Sequence, residues 1–389
     1  PFYPSDGETY LFPATRKIEP LKTEKTIAES SWNQLITTWK NCSNRLLVLG
    51  QMEPNSELIT ILADLTQKTN TPIVNEITAN QHGLNGNINK HDLFLQGEAK
   101  VDAPELLITF GKSLISKNLK LFLRKNPPKY HWHIHEGNKL NDGLQHLTHS
   151  FDLNAEYFLS ELTKRVPKSH SLNFSSSWSD LNESTKIKSR EFLSQSEFGE
   201  LKAAGMALKA LPSDSQLHLA NSMSIRYANF IGLENGSIEV YCNRGTSGID
   251  GSNGTAVGAA LNSGKIVTLL TGDMAFLYDR NAFWHSYELN NLRIIVLNNA
   301  GGGIFGMIKG PRSQGSYEKL FQTNQPLTAK LTAKEYGFEY AAAKGEEELE
   351  YELKQFFKPS SSAKILEVFS DPRKNEEIFA SYKAYCLGL

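Results

Sequence analysis

Short apolar runs alternate along this chain with stretches of helical periodicity, and that alternation constrains the fold more than any other feature. A helical pattern over residues 26–39 precedes the apolar run 45–49, a second over 56–68 leads to Pro72-Ile73-Val74, and the run 105–110 is followed by a helical pattern over 117–125. The run 130–135 and a helical pattern over 155–166 complete the first half. Strand, helix and strand in succession pack as a parallel unit, so the rhythm predicts an α/β fold with helices on both faces of a doubly wound sheet. Residues 167–182, rich in Ser and His and carrying Ser175-Ser176-Ser177, read as an interdomain linker.

The alternation then resumes. Helical patterns over 189–209, 222–230, 255–262, 346–357 and 375–385 are interleaved with strand-type runs at 216–219, 239–242, 265–271, 293–297 and 364–369. At 389 residues the chain is too long for one ordinary domain. The expected organisation is a lead-in over 1–25, a central α/β domain over 26–166, the linker, and a second α/β domain over 183–389.

Composition removes several function classes. A formal net charge of −1 and no basic cluster with interleaved aromatics argue against nucleic acid as a main partner. The three cysteines, Cys42, Cys242 and Cys386, are far apart and odd in number, which fits neither a disulfide framework nor a zinc pattern and suits a reducing, cytoplasmic compartment. No apolar run approaches the roughly 18 residues of a membrane span, and Pro1-Phe2-Tyr3-Pro4 is not a signal peptide. The absence of an initiating Met suggests a chain cut from something longer.

Two loops carry the chemistry. Gly272-Asp273 follows one buried-type run and Asn298-Asn299 follows the next, with Asp273 and Asn299 separated by 26 positions. Either dipeptide alone is an ordinary turn signal. In a parallel sheet, however, both emerge at the carboxyl end of a strand, where open α/β sheets bind ligands. A carboxylate, an amide oxygen and a nearby backbone carbonyl suit a hard cation such as Mg²⁺, which fills its other positions with water and diphosphate oxygens. The glycines Gly301-Gly302-Gly303 allow a phosphate close to the backbone.

That spacing resembles the Gly-Asp...Asn-Asn motif of thiamine diphosphate (ThDP) enzymes. The resemblance sharpens at Asn243-Arg244-Gly245-Thr246-Ser247-Gly248-Ile249-Asp250-Gly251, at Thr255-Ala256-Val257-Gly258, at Asn221-Ser222 and at Gly301-Gly302-Gly303-Ile304-Phe305. Together these are similar to the MenD family, the 2-succinyl-5-enolpyruvyl-6-hydroxy-3-cyclohexene-1-carboxylate synthases of menaquinone biosynthesis, closely over residues 215–310 and weakly over the first 165.

The resemblance implies that Asp273, Asn299 and the Gly301 carbonyl hold Mg²⁺, with Mn²⁺ as a possible substitute, and anchor the ThDP diphosphate. It implies that Ile249 is the bulky aliphatic residue over which the cofactor bends, with Ser247, Gly248, Gly272 and Met274 beside the cofactor. Met274 stands where many ThDP enzymes carry a further glycine. Without the family, Ile249 reads as an ordinary core isoleucine. The implied substrates, 2-oxoglutarate and isochorismate, each carry two carboxylates, which suits Arg226, Arg244 and Ser222. Ser222 and Arg226 are four residues apart on one helix face. Ile304 and Phe305 are the implied apolar wall, and Lys117 in Ser116-Lys117-Asn118-Leu119 is the implied contribution of the first half, where Asn118 replaces a family Arg.

The resemblance further implies decarboxylation of 2-oxoglutarate, addition of the succinyl unit to isochorismate, and assembly as a homodimer or homotetramer. The glutamate that contacts the aminopyrimidine belongs to an amino-terminal domain absent from this sequence, so the chain is expected to be inactive alone. Three alternatives stay open. One is another ThDP carboligase of the acetolactate synthase type. A second is a noncatalytic nucleotide-binding or oligomerisation module using the Gly301–Gly306 stretch as a dinucleotide loop. The third concerns His131, His133 and His135, whose spacing of two places three imidazoles on one strand face, a possible zinc site with no evident fourth ligand.

Overall fold

The computed structural model describes residues 25–97, 100–137, 142–169 and 171–388. The first half runs α1 (Glu29–Asn41), β1 (Arg45–Leu49), α2 (Ser56–Thr69), β2 (Ile73–Asn75), α3 (His91–Phe94), β3 (Leu106–Phe110), α4 (Lys117–Lys125), β4 (Tyr130–His135), β5 (His149–Asp152) and α5 (Ala155–Arg165). Its sheet has the order β2-β1-β3-β4-β5, every neighbouring pair parallel.

The second half begins with α6 (Asn173–Gln195), α7 (Glu200–Ala210), β6 (Gln216–Leu219), α8 (Met223–Ile231), β7 (Glu239–Cys242), α9 (Ser252–Asn262), β8 (Val267–Gly272) and α10 (Asp273–Tyr278). It continues through β9 (Leu292–Asn298), α11 (Lys309–Arg312), α12 (Ala329–Tyr336), β10 (Glu339–Ala343), α13 (Glu346–Phe356), β11 (Lys364–Phe369) and α14 (Pro372–Leu387). These strands form a second all-parallel sheet in the order β10-β11-β9-β8-β6-β7.

The central strands β3 and β9 are buried along their whole length, as expected where helices cover both faces of a parallel sheet. Helix starts follow local chemistry: Asn55, Ser116, Asn154 and Asp371 each accept a hydrogen bond from the backbone N–H three residues on, satisfying a donor with no partner inside the helix. Arg293, at the start of β9, is fully buried, and its guanidinium donates to the carbonyls of Asn290, Leu292, Phe356 and Lys358. It ties the end of α13 to the sheet.

All but the last residue of the lead-in expected over 1–25 lies outside the described residues. The structure corrects two other readings of the chain. The stretch expected to be a linker is helical from Asn173, because Phe174 and Trp178 lie one turn apart and bury against Phe94 and Phe122 of the first half. The single helical pattern over 189–209 is two helices. They break where α14 approaches Gly199: a Cβ there would lie 2.8 Å from Asn375 Oδ1, which instead accepts the Glu200 N–H. Strands β5 and β10, missing from the sequence reading, are edge strands of sequence HSFD and EYAAA, with little apolar alternation to mark them.

The two halves meet through polar contacts at strand ends. Gln51, just past β1, donates to the Cys242 carbonyl at the end of β7, and the Asn80 side chain exchanges two hydrogen bonds with the Val240 backbone. The buried Lys90 ammonium donates to the Phe230 and Ile231 carbonyls, capping α8 where the helix dipole favours a cation.

His131 and His218 are buried and His82 is half-buried, and each has a buried ring nitrogen lacking a partner among the described residues, Nδ1 in His131 and Nε2 in the other two. Burial lowers each pKa from 6.5 to about 4, with the neighbouring His133 adding to the effect at His131. The unfolded chain therefore binds more protons between pH 6.5 and about 4, so these groups make stability fall as pH falls through that window. Urea midpoints measured across it should decline toward acid, and His218→Met should make the decline shallower; an unchanged slope in that variant would refute the assignment.

Candidate functional site

Parallel pairing brings the loops after β6, β7, β8 and β9 to one end of the second sheet. Strands β8 and β9 are adjacent, with Gly272 in register with Leu297, so Asp273 and Asn299 emerge from neighbouring strand tips. Asp273 opens α10 at 3% exposure, its Oδ1 accepting from Met274 N–H and its Oδ2 from Gln325 Nε2, each at 2.8 Å. Burial pushes its pKa up from 3.8 to about 6, against the lowering effect of hydrogen bonds from Gln325, Met274 and Gly301.

Asn299 is 6% exposed. Its Nδ2 donates to Glu200 Oε1 at 2.8 Å and its Oδ1 accepts from Gly301 N–H at 3.1 Å. The neighbouring Asn298 turns the other way, donating to Leu327 O and to the buried Glu367, which also accepts from Ala329 N–H and the Tyr340 hydroxyl. One residue of the Asn-Asn pair thus braces the sheet and the other faces the crevice.

The glycine run is required by contact. A Cβ on Gly301 would sit 2.4 Å from Gln322 O, and one on Gly303 would sit 2.5 Å from Asn299 Nδ2. Gly301 O accepts from Gly303 N–H, leaving a second lone pair on the oxygen. The run enters a short 3-10 turn over Gly303–Met307 rather than the α-helix that a dinucleotide loop opens onto. Ile304 is half-buried against the second-half core, and Phe305 is exposed beside Phe321 at a ring separation of 5.8 Å.

A second group of residues surrounds Asn221. Its Nδ2 donates to the carbonyls of Asn243 and Gly248, and its Oδ1 accepts from Arg244 Nη1 at 2.9 Å. Arg244 Nε is buried with no partner among the described residues. Arg226 Nη1 donates to the Ser222 carbonyl at 2.5 Å, but Ser222 stands just before α8 with a non-helical backbone, so the two do not share a helix face as the spacing suggested. The Arg226 pKa is lowered by burial and then by the charge of Arg244, so two guanidinium groups converge at one end of the sheet. Ser247 and Ile249 are half-buried and Gly248 exposed on the loop after β7, and Ile249 lies outside the hydrophobic core clusters. A core role for Ile249 is thereby removed. Gly272 and Met274 flank Asp273, both half-buried.

Lys117 is exposed at the first position of α4. One turn later, Lys120 is half-buried, donates to Leu114 O and has a pKa lowered by burial, with the Arg244 charge acting in the same direction. Glu76 and Asp92 clamp the start of α4: Glu76 accepts from the N–H groups of Ile115 and Ser116, and Asp92 from the Ser116 hydroxyl and Asn118 N–H. On β4, His131 and His133 both hydrogen-bond Thr109 Oγ1, and the described residues contain no group of three His, Cys, Asp or Glu placed to hold a metal.

Sequence reasoning did not single out Glu200, Gln325 or Lys120, and it noted Asn221 only within the Asn221-Ser222 motif. For Lys120 a signal existed, since position 120 shares a helix face with position 117. Glu200 and Gln325 reach the site only through tertiary packing, from 99 and 52 positions away. Glu200 is 3% exposed, and its pKa is pushed up from 4.5 to about 8 by burial and then by the Asp273 charge, against hydrogen bonds from Tyr227 and Asn299.

Ser222 holds φ 74° and ψ −126°, a backbone region that glycine adopts and serine does so only under strain. Ser222→Gly should therefore raise the unfolding free energy by about 1 kcal/mol, read from urea denaturation. A loss of stability in that variant would show that the conformation is not strained.

A family model described as the middle domain of thiamine pyrophosphate enzymes matches residues 16–219, and one described as the C-terminal TPP-binding domain of thiamine pyrophosphate enzymes matches residues 228–368. The chain is 38% identical over 390 aligned residues to a 2-succinyl-5-enolpyruvyl-6-hydroxy-3-cyclohexene-1-carboxylate synthase of Cytophaga hutchinsonii, covering 98% of this chain and 68% of that protein. Synthases of the same name from Flavobacterium psychrophilum and Flavobacterium johnsoniae are 38% and 35% identical, over 89% and 98% of this chain. The chain spans 63% and 69% of their respective lengths.

Proposed function

We propose, from the premise that this chain belongs to the thiamine-diphosphate-dependent 2-succinyl-5-enolpyruvyl-6-hydroxy-3-cyclohexene-1-carboxylate synthase family, that it carries the diphosphate- and metal-binding part of a site that decarboxylates 2-oxoglutarate and adds the succinyl unit to isochorismate. The observation that carries the reading is the buried carboxyl of Asp273 beside the Asn299 amide on adjacent strand tips.

The donor set fits a divalent cation. Asp273 and Glu200 are both buried, the charge of the first raises the pKa of the second, and the strongest influences on each are burial, carboxyl charge and hydrogen bonds rather than a cationic side chain. Two buried acids without a counter-charge are costly, and a hard cation offsets that cost. Asp273, Asn299 Oδ1 and the Gly301 carbonyl would hold Mg²⁺ or Mn²⁺ and, through it, the diphosphate. When bound, thiamine diphosphate supplies the electron sink that holds the electron pair left at the former ketone carbon as CO₂ departs.

The chain's own groups bind and orient the substrates. Arg226 and Arg244 repel each other across the crevice, and a dicarboxylate relieves that repulsion while accepting charge-assisted hydrogen bonds, including one from the unpartnered Arg244 Nε. Ser222 offers a hydroxyl at the start of α8. Ser247, Gly248 and Ile249 would line the cofactor, and Ile304 and Phe305 would give the reacting carbons an apolar neighbourhood. From the first half, Lys120 is better placed than Lys117 to add positive charge, since its charge acts on the same crevice as Arg244. In this reading residues 26–166 and 183–389 form two units joined by α6, whose start packs on the first half while Ser189 and Phe192 pack on Tyr382 of the second. A cytoplasmic homodimer or homotetramer completes it: all three cysteines are free and buried, and the aromatic rings of Tyr278, Trp284 and Tyr287 are exposed for a subunit contact.

The test uses the full-length enzyme. Calorimetry should give Mg²⁺-dependent ThDP binding that Asp273→Ala weakens at least about 100-fold, as expected for loss of a direct charged ligand. Arg244→Ala should raise the KM for the dicarboxylate substrates by about 10-fold or more, the loss of a charge-assisted hydrogen bond. Pyruvate turned over as well as 2-oxoglutarate, or undiminished cofactor uptake by the Asp273→Ala protein, would overturn the proposal.

A further inference from the structure

An asparagine ligates a hard cation only through its oxygen, because the amide nitrogen has two hydrogens and no available lone pair. Asn299 therefore works only in one of its two amide orientations, which differ by exchanging Oδ1 and Nδ2. Both ends of this amide are read by fixed partners. Gly301 N–H requires an acceptor and receives Oδ1 at 3.1 Å, while Glu200 Oε1 receives Nδ2 at 2.8 Å. The absence of a side chain at Gly303 leaves room for the amide nitrogen in that position, since a Cβ would lie 2.5 Å away.

Glu200 is itself held on every side. It opens α7, its backbone N–H donates to Asn375 Oδ1, and its second oxygen accepts from the buried Tyr227 hydroxyl at 3.1 Å. A fully buried carboxyl beside a second buried carboxyl costs stability relative to an apolar side chain of similar size. Helix-end stabilisation explains an acid on the surface of a first turn and does not explain one buried against Asn299.

We propose that Glu200 is a positioning residue for the metal site: through its hydrogen bond to Nδ2 it locks the Asn299 carboxamide with Oδ1 toward the cation, and Tyr227 fixes the Glu200 carboxyl in turn. The inference rests on the reading of Asn299 as a metal ligand. Partners of this kind around a metal ligand govern affinity by about 10- to 100-fold when removed.

The experiment compares wild type, Glu200→Ala, Glu200→Gln and Tyr227→Phe in the full-length enzyme, by fluorescence titration of Mg²⁺ at fixed ThDP and by thermal melting without cofactor. Glu200→Ala should raise the apparent Mg²⁺ Kd at least 10-fold while the KM for 2-oxoglutarate at saturating cofactor changes less than 2-fold. Glu200→Gln keeps a carbonyl acceptor for Nδ2 and should stay within about 3-fold of wild type. Tyr227→Phe, which leaves the acceptor in place, should fall between the two. An Mg²⁺ Kd within 2-fold of wild type in Glu200→Ala, or an equal loss in the Ala and Gln variants, overturns the proposal. Should Glu200→Ala melt before titration, the ranking of Tyr227→Phe against Glu200→Gln decides, a Tyr227→Phe value no weaker than Glu200→Gln counting against it. A wild-type enzyme that takes up ThDP without Mg²⁺ dependence refutes the metal reading itself, a result separate from the Glu200 comparison.

Discussion

Two carboxyl groups, Asp273 at a strand tip and Glu200 at the start of α7, are buried near enough for the charge of one to raise the pKa of the other, and the polar contacts of the second half collect around them. Each oxygen that can be satisfied by the protein is satisfied by a specific donor: Met274 N–H and the Gln325 amide for Asp273, the Asn299 amide and the Tyr227 hydroxyl for Glu200. The donors come from α10, from the loop before α12, from the tip of β9 and from α8. Elements that are distant in sequence are therefore bound to one another through a small polar centre in an otherwise apolar core.

Strained and crowded backbone collects at the same end of the sheet. Ser222, Ser247 and Ala300 hold positive φ in the loops after β6, β7 and β9, and Gly301 accepts the close approach of Gln322. Such conformations persist only where the surroundings over-determine them. Here the determinants are the Arg226 bond to Ser222, the Asn221 bonds to Asn243 and Gly248, and the packing of the 317–325 segment over the glycine run. The first half adds its own rigid edge: Glu76 and Asp92 fix the start of α4, and Gln51, Asn80 and Lys90 fasten the ends of β1 and β2 and the chain that follows them to β7 and α8.

Several features were legible before any coordinates. The runs 45–49, 105–110 and 293–297 each open on a charged residue and are otherwise mostly aliphatic because their strands are buried on both faces, and their alternation with helical patterns pointed to a parallel sheet. The Asp273 and Asn299 loops were legible for the same reason, each following such a run. The helix α6 was misread because its Ser-rich exposed face outnumbers the two aromatic residues, Phe174 and Trp178, that do the packing. Edge strands β5 and β10 were missed because a strand paired on one side needs little hydrophobic pattern.

The amino-acid sequence by itself determined the α/β class, the two-sheet organisation, the strand-tip position of the ligand loops and the family to which they belong, since all of these follow from local periodicity and from residue types at fixed spacing. Tertiary structure alone decided that Asn298 turns to Glu367 while Asn299 meets Glu200, and that Gln325 stands behind Asp273. Those assignments depend on hydrogen bonds and charges acting between elements 50 to 100 positions apart, and no local pattern encodes which partner a buried polar group will meet once helices and strands have packed.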